Sequence, residues 1–351
     1  MAKTSERAQR GGHSGISIED VAVAAGVSTA TVSRALRGLP RVSESTRTKI
    51  LIAAKDLGYV PSSSAAGLAT GKTRTIGVLA PYVDRWFFGK VIDGVERELH
   101  SHGYNLSLFN LGGRGGAPRE RLFSRAMVQK QIDALVLLAT FLNPGEIEEL
   151  QDIEMPVVSV GGAVPGLSTI GVDDREVSRT AARHLRDLGH RRIAMLHGIG
   201  EVQQQFTVPD FRATDFENAL REMGIEPEPR WTFRAEFTVE GGVTAARAFA
   251  AQSGPKPTAI MCASDEMALG VLFEAQRLGI RVPEELSVVG IDGHEMGAAV
   301  GLTTVWQDPA AQGQRATQML LAALGGDDSA VHSEYAEHRL IARETTAPPA
   351  V

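Results

Sequence analysis

Residues 18–81 read IEDVAVAAGVSTATVSRALRGLPRVSESTRTKILIAAKDLGYVPSSSAAGLATGKTRTIGVLAP, and their punctuation divides them into short capped helices. Ser17 can accept from the orphan amides of a first helix, and Asp20 completes a capping box. Ile18, Val21 and Ala25 then share one face. Gly26 permits a sharp turn and Ser28 can start a second helix running to Leu36. Beyond Gly38-Leu39-Pro40, Ser43 caps a third helix with Ile50, Ala53, Ala54 and Leu57 on its inner stripe, stopping before Gly58. Helix, glycine turn, helix is the pattern in which a second helix enters the DNA major groove while the first crosses the backbone. Thr29, Ala30 and Arg34 would then face base edges, with Arg34 able to offer two donors to guanine. Arg37, Arg41, Ser43 and Thr46 cluster where cations and helix-start amides can hold phosphates. A plain helical hairpin, with Val21, Val27, Val32 and Leu36 merely packing together, fits the same residues.

The order and spacing of Asp20-Val21-Ala22, Ala25-Gly26-Val27-Ser28, Thr31-Val32-Ser33-Arg34, Thr46-Arg47, Leu57-Gly58-Tyr59, Pro61 and the strand Ile76-Gly77-Val78 carry a resemblance. The segment resembles the N-terminal signature of the lactose-repressor (LacI/GalR) family of transcription regulators. That resemblance places Thr29, Ala30 and Arg34 at base-reading positions and Ser28, Thr31 and Ser33 near phosphates. It also implies a hinge helix over about 62–70, with Leu68 wedging into the minor groove, where paired leucines unstack a step and bend the duplex. Ser62 and Ala66 depart from the family's usual Asn and longer polar side chain, which weakens the expected hinge contacts. So short a Ser/Ala-rich helix is marginal in water and is expected to order only when two copies meet on DNA; a tether with Leu68 exposed is the alternative. The expected divisions are a mobile leader 1–15, an all-α three-helix head 16–61, a linker 62–74 and a body 75–351.

From Thr75 onward, apolar runs such as TIGVLAP, ALVLLAT, PVVSVGG, RRIAMLHG, TAIMCAS and LSVVGID alternate with amphipathic stretches of helical length. Alternation of this kind predicts parallel sheets covered by helices. The resemblance extends to periplasmic sugar-binding proteins and implies an α/β body of two lobes: one about 75–174 and 307–325, the other about 175–306 and 326–346. Ligands of such sheets bind at the carboxyl ends of strands. Asp173 and Asp174 follow one strand, Ser264 and Asp265 another, Asp292 a third and Gln307 a fourth, while Arg212 lies in a helix after a long loop. Carboxylates, a guanidinium and amides facing one cleft suit a polyhydroxylated ligand; acids after strands also serve as helix caps, above all Asp174 and Asp265. By the resemblance, Arg212 and Asp292 grip the effector, and Trp86, Phe87 and Phe88 line the cleft entrance. Core packing accounts more simply for at least one of these rings. Ser264 and Asp215 stand where the family often has Asn and Gly, so the effector geometry is expected to differ.

Charge separates the two parts. Residues 1–75 hold 11 Lys+Arg against 5 Asp+Glu, a surplus of +6, whereas the remaining 276 hold 25 against 37, a deficit of −12. Polyanion binding therefore belongs to the N-terminus. Apolar runs are too short to span a bilayer, the single cysteine (Cys262) cannot form an internal disulfide, and no secretory leader is visible, which together predict a cytoplasmic setting. Enzyme signals are weak. HGIG leads toward a dinucleotide fingerprint, but Gln203 replaces its third glycine; no GxSxG or HExxH occurs; His184, His190 and His197 lack ligand spacing. The reading is a non-enzymatic, homodimeric, sequence-specific repressor on a pseudopalindromic operator, controlled by a small carbohydrate-like or nucleoside effector and needing no metal or cofactor. The rival is an α/β enzyme or solute-binding protein with a basic tail.

Overall fold

The computed structural model describes residues 16–59, 72–111, 131–140, 142–152, 155–162, 164–199, 208–326 and 333–350. The leader 1–15, Leu68, Gln203 and most of the linker lie outside them. The chain divides into two compact units, Met1–Thr73 and Arg74–Val351.

The head consists of α1 (Ile18–Ala25), α2 (Thr29–Leu36) and α3 (Glu44–Leu57). Each begins at a serine whose hydroxyl accepts the backbone N–H three residues on: Ser17 from Asp20, Ser28 from Thr31, Ser43 from Thr46. Asp20 returns the contact to the Ser17 N–H at 2.9 Å, which completes the box and holds the Asp20 carboxyl below its ordinary range. Gly26 and Gly58 end their helices at φ 64° and 68°, a conformation that costs a side chain about 1 kcal/mol or more. Val21, Ala25, Val32, Ala35, Ile50 and Ala54 close a small common core.

In the body the strands are β1 (Thr75–Ala80), β2 (Asn105–Asn110), β3 (Ala134–Leu138), β4 (Val157–Val160), β5 (Ser168–Gly171), β6 (Ile193–Gly198), β7 (Thr232–Ala235), β8 (Ala259–Cys262), β9 (Ser287–Asp292), β10 (Thr303–Gln307), β11 (Ser333–Tyr335) and β12 (His338–Ile341). The helices are α4 (Trp86–Ser101), α5 (Pro144–Asp152), α6 (Asp174–Asp187), α7 (Val208–Glu222), α8 (Val239–Ala251), α9 (Asp265–Arg277), α10 (Glu295–Ala299) and α11 (Pro309–Leu324). Sheet 1 has the order β11-β5-β4-β3-β1-β2 and sheet 2 the order β12-β10-β9-β8-β6-β7. All neighbours are parallel except β12, which runs antiparallel to β10. The central strands β3, β4, β6, β8 and β9 are buried along their whole length, as parallel strands covered by helices on both faces must be.

The chain passes between the lobes three times: from β5 to α6, from β10 to α11, and from β11 to β12. α11 leaves sheet 2 and packs on lobe 1, where Ala316, Met319 and Leu320 join the core of β1, β3 and β4. Its approach to α4 requires glycine. A Cβ at Gly94 would lie 1.9 Å from the Ala310 carbonyl oxygen, and one at Gly313 would lie 2.1 Å from that of Val91. The last crossing corrects the expectation that 326–346 belongs to the second lobe. α11 carries the chain along sheet 1 to the open edge of β5, where Ser333–Tyr335 adds a parallel strand; only β12 returns to sheet 2.

Candidate functional site

The head offers a polar face. Thr29, Ala30 and Arg34 of α2 are exposed, and the Arg34 guanidinium has no partner among the described residues. The residues expected near phosphates are used unequally. Ser28 and Thr31 share a hydroxyl contact of 2.9 Å, as do Ser43 and Thr46 at 2.7 Å, so all four build helix starts. Ser28 and Ser43 themselves remain exposed. Half-buried Arg37 donates from Nε to the Ser33 carbonyl at 3.1 Å, tying both to the end of α2. Arg41 is exposed and holds φ 71°, a left-handed conformation that an ordinary residue adopts only at a cost. Sequence reasoning missed Arg47. Its Nη1 donates to the Ala35 carbonyl at 2.7 Å and its Nη2 to that of Leu39 at 2.9 Å, so it ties the end of α2 and the turn after it to α3, adding to the Gly38 N–H that Ala35 already accepts.

The second candidate lies where the lobes meet, at the carboxyl edge of sheet 2. Arg212 of α7 is 7% exposed. Its Nε donates to Asp174 at 2.7 Å, its Nη1 donates to the Ala263 carbonyl at 2.8 Å and stands 4.0 Å from Asp292; Nη2 has no partner among the described residues. Burial works against its charge, but Asp174 and Asp292 outweigh it, so its pKa stands above the ordinary value. Asp292 closes β9 at φ 118°, a strained backbone of the kind that gathers at binding sites. Gln307 donates to it at 2.8 Å. Burial pushes the Asp292 carboxyl up to about 6 against the lowering influence of Arg212 and Gln307.

Three residues expected to contact the effector make hydrogen bonds that build the framework around it. Asp265 is fully buried. It accepts from the backbone N–H groups of Gly293 and His294 at 2.9 and 2.7 Å and from the Thr304 hydroxyl at 2.7 Å. Burial and the neighbouring Asp292 charge push it up to about 8 while those bonds oppose the rise. Its work is to fix the loop after β9, and so Asp292. Ser264 caps α9 through the Met267 N–H, and Asp173 caps α6 through those of Arg175 and Glu176. Asp174, for which a cap and a cleft-facing role both stood open, orients Arg212.

The aromatic trio divides. Phe88 is in the lobe 1 core, and Phe87 meets it edge to face at 5.5 Å. Trp86 spans the lobes: its ring stacks on His294 at 4.9 Å and 24°, and its Nε1 donates to Glu295, which also pairs with Lys90 at 3.0 Å. Burial pushes Glu266 of α9 up to about 7, against the pull of Arg85 and the nearby Trp86 backbone N–H. Nothing local in the sequence marks Glu266, His294 or Glu295, because the contacts that define them come from the other lobe. Among the described residues no group of three or more His, Cys, Asp or Glu gathers as a metal site would require. His190 is buried beneath the C-terminal segment, with Nε2 2.9 Å from the Ala347 carbonyl. Burial pushes the Cys262 thiol up.

Residues 17–62 match the family model described as bacterial regulatory proteins, lacI family, and residues 182–346 that of the periplasmic binding protein-like domain. The chain is 33% identical over 334 residues to the HTH-type transcriptional repressor CytR of Escherichia coli (strain K12), covering 94% of this chain and 96% of that one. A structure of the transcriptional regulator CelR–cellobiose complex matches with a TM-score of 0.69 at 28% identity, covering 94% of this chain and 99% of that chain. The lac repressor dimer bound to operator and the anti-inducer ONPF matches with a TM-score of 0.83 at 24% identity, covering 95% and 99%, a likeness of fold.

Proposed function

This chain belongs to the lacI family of bacterial regulatory proteins, and from that premise we propose how its two parts divide the work. It is a helix-turn-helix transcriptional regulator of the repressor kind. In our reading it acts without catalysis, as a cytoplasmic homodimer that presents two heads to a pseudopalindromic operator. Thr29, Ala30 and Arg34 read bases, Arg41 and the exposed serines hold phosphates, and Leu68 wedges the minor groove. No described helix is long and apolar enough to cross a membrane.

A small molecule in the cleft controls this grip. The observation that carries the reading is the buried Arg212 with Asp292 and Gln307 beside it. Desolvating such a set is costly unless it is paired, and the open guanidinium donors next to an acceptor carboxylate match vicinal hydroxyls. A carbohydrate or nucleoside fits this chemistry, and CelR, a relative in fold and sequence, is described with cellobiose. Regulation then requires that the effector favour one lobe arrangement over the other by its own differential affinity.

The test is selection of bound duplexes from a random library with the full chain, followed by gel-shift titration of the winner. A palindromic consensus is expected. Arg34→Ala should relax base preference by about 1–3 kcal/mol, while Arg41→Ala weakens all sequences alike. Equal affinity for every duplex, with Arg34→Ala silent, would overturn the reading.

A further inference from the structure

A line of polar side chains runs from lobe 2 into lobe 1 and ends on an atom with no hydrogen-bond partner among the described residues. The ionised Asp292 carboxylate can only accept, so the Gln307 amide presents its nitrogen to it at 2.8 Å. The Gln307 carbonyl is left to accept from Gln312 Nε2, at 2.9 Å. The polarity passes on: Gln312 has its nitrogen turned to Gln307, and its Oε1 is left without a hydrogen-bond partner among the described residues. Gln312 is 2% exposed. A buried acceptor without a donor is costly, and in a native protein it signals a role.

The topology puts this residue near the carboxyl edges of both sheets. β10 delivers the chain to the carboxyl edge of sheet 2 at Gln307, and β11, which follows α11, runs parallel to β5. α11 must therefore start at the carboxyl edge of sheet 1 and end at the amino edge, where β11 can begin. Gln312 stands in its opening turn, across the crossing from Asp292.

We propose that Gln312 Oε1 is a specificity-determining acceptor for the effector, taking a hydrogen bond from a hydroxyl or N–H on the part of the ligand that faces lobe 1. Arg212 and Asp292 hold the ligand's other side; the inference rests on the cleft being the effector site. The Asp292–Gln307–Gln312 line sets which end of the Gln312 amide is offered, so the site selects for a donor and against an acceptor at that place. A pocket that must satisfy a buried polar group discriminates between hydroxyl and hydrogen far more sharply than an apolar pocket can.

The test uses the full chain with ribose, glucose, adenosine and cytidine, each beside a deoxy analogue, in calorimetric titrations of the wild type, Gln312→Met and Arg212→Ala. Methionine keeps the length and removes the acceptor. The tightest probe is expected to lose about tenfold or more with Gln312→Met, while its deoxy analogue lacking the read hydroxyl binds both proteins equally. Ligand-free melting should stay within about 2 °C, since one orphaned acceptor, Gln307 Oε1, replaces another. Affinities within about twofold for every probe, or a ligand-free melting point lowered by about 5 °C or more, would overturn the assignment, the latter marking Gln312 as structural. Failure of the cleft reading looks different: Arg212→Ala would then leave the tightest probe's affinity unchanged, whereas failure of the Gln312 inference alone leaves Arg212→Ala damaging.

Discussion

The head and the cleft use polar side chains in opposite ways. In the head, the helix starts are built by hydrogen bonds that span three residues: Ser17 with Asp20, Ser28 with Thr31, Ser43 with Thr46. Each helix start is written where it is used, and the exposed positions follow from helical period. In the cleft, Arg212 reaches Asp174 across 38 positions and Asp265 reaches Thr304 across 39. There the roles of neighbouring acids are assigned by the fold: Asp173 caps a helix, while the adjacent Asp174 orients a guanidinium. Local chemistry builds a surface, and long-range chemistry builds a buried site.

The largest expected effect breaks the buried side of that contrast. Arg212→Ala leaves Asp174 and Asp292 without their cation inside the protein, and removing one partner of a buried pair costs about 3–5 kcal/mol. Calorimetric melting should show the body destabilised by an amount of that order, and effector titration should show binding lost. The head is a separate compact unit and should melt as in the wild type. A body transition shifted by less than about 1 kcal/mol would mean that solvent already screens the cluster.

A pH titration sharpens the contrast, with opposite signs for binding and stability. Asp292 has been pushed from 3.8 up to about 6. Above that pH it is ionised and accepts hydroxyl donors; below it, it takes up a proton. Effector affinity should therefore fall as pH drops through about 6, by up to about tenfold per unit if only the carboxylate binds. Stability runs the other way. A folded-state pKa above the unfolded one favours folding in acid, so the contribution is fully present below 3.8 and is lost as pH rises through about 6. Asp265 and Glu266, pushed up to about 8 and about 7, add in the same direction. His184, His190 and His294, which burial holds below their ordinary value, oppose this by losing stability as pH falls below 6.5. The acid contribution is therefore read as the difference in ligand-free melting between wild type and Asp292→Asn, which should grow from pH 7 to pH 5 while wild-type affinity declines. Asp292→Asn should flatten the affinity profile.

The three-helix head, the α/β alternation and the strand-end positions of Asp292 and Gln307 were legible in the sequence, because caps, glycine turns and hydrophobic period are local signals. The lobe arrangement came from family resemblance. The sequence could not show that Asp265 spends its acceptors on the loop after β9, because its partners at 293, 294 and 304 follow only from strand order. The split of 326–346 between lobes was hidden for the same reason: β11 is three residues long, and its partner β5 lies far back in the chain. Trp86 reaches the other lobe, and its stacking on His294 depends on two lobes meeting.

The smallest expected effect tests whether the head is as local as the contrast makes it. Arg47 spans the gap between its helix and the end of α2, 12 positions back to Ala35 and 8 to Leu39, so it is the head's own long-range contact. Arg47→Ala should cost the head about 1–2 kcal/mol, a sizeable share for a unit with so small a core, and leave the body transition in place. Arg47→Lys should recover little, because a point charge cannot reach both carbonyls as the planar fork does. Hydrogen exchange in the full chain should show faster exchange at the end of α2 and the turn to α3, with α1 least affected. Unchanged protection there would mean that serine caps and the Val21–Ile50 core already fix the second turn, so that the head's stability is wholly local.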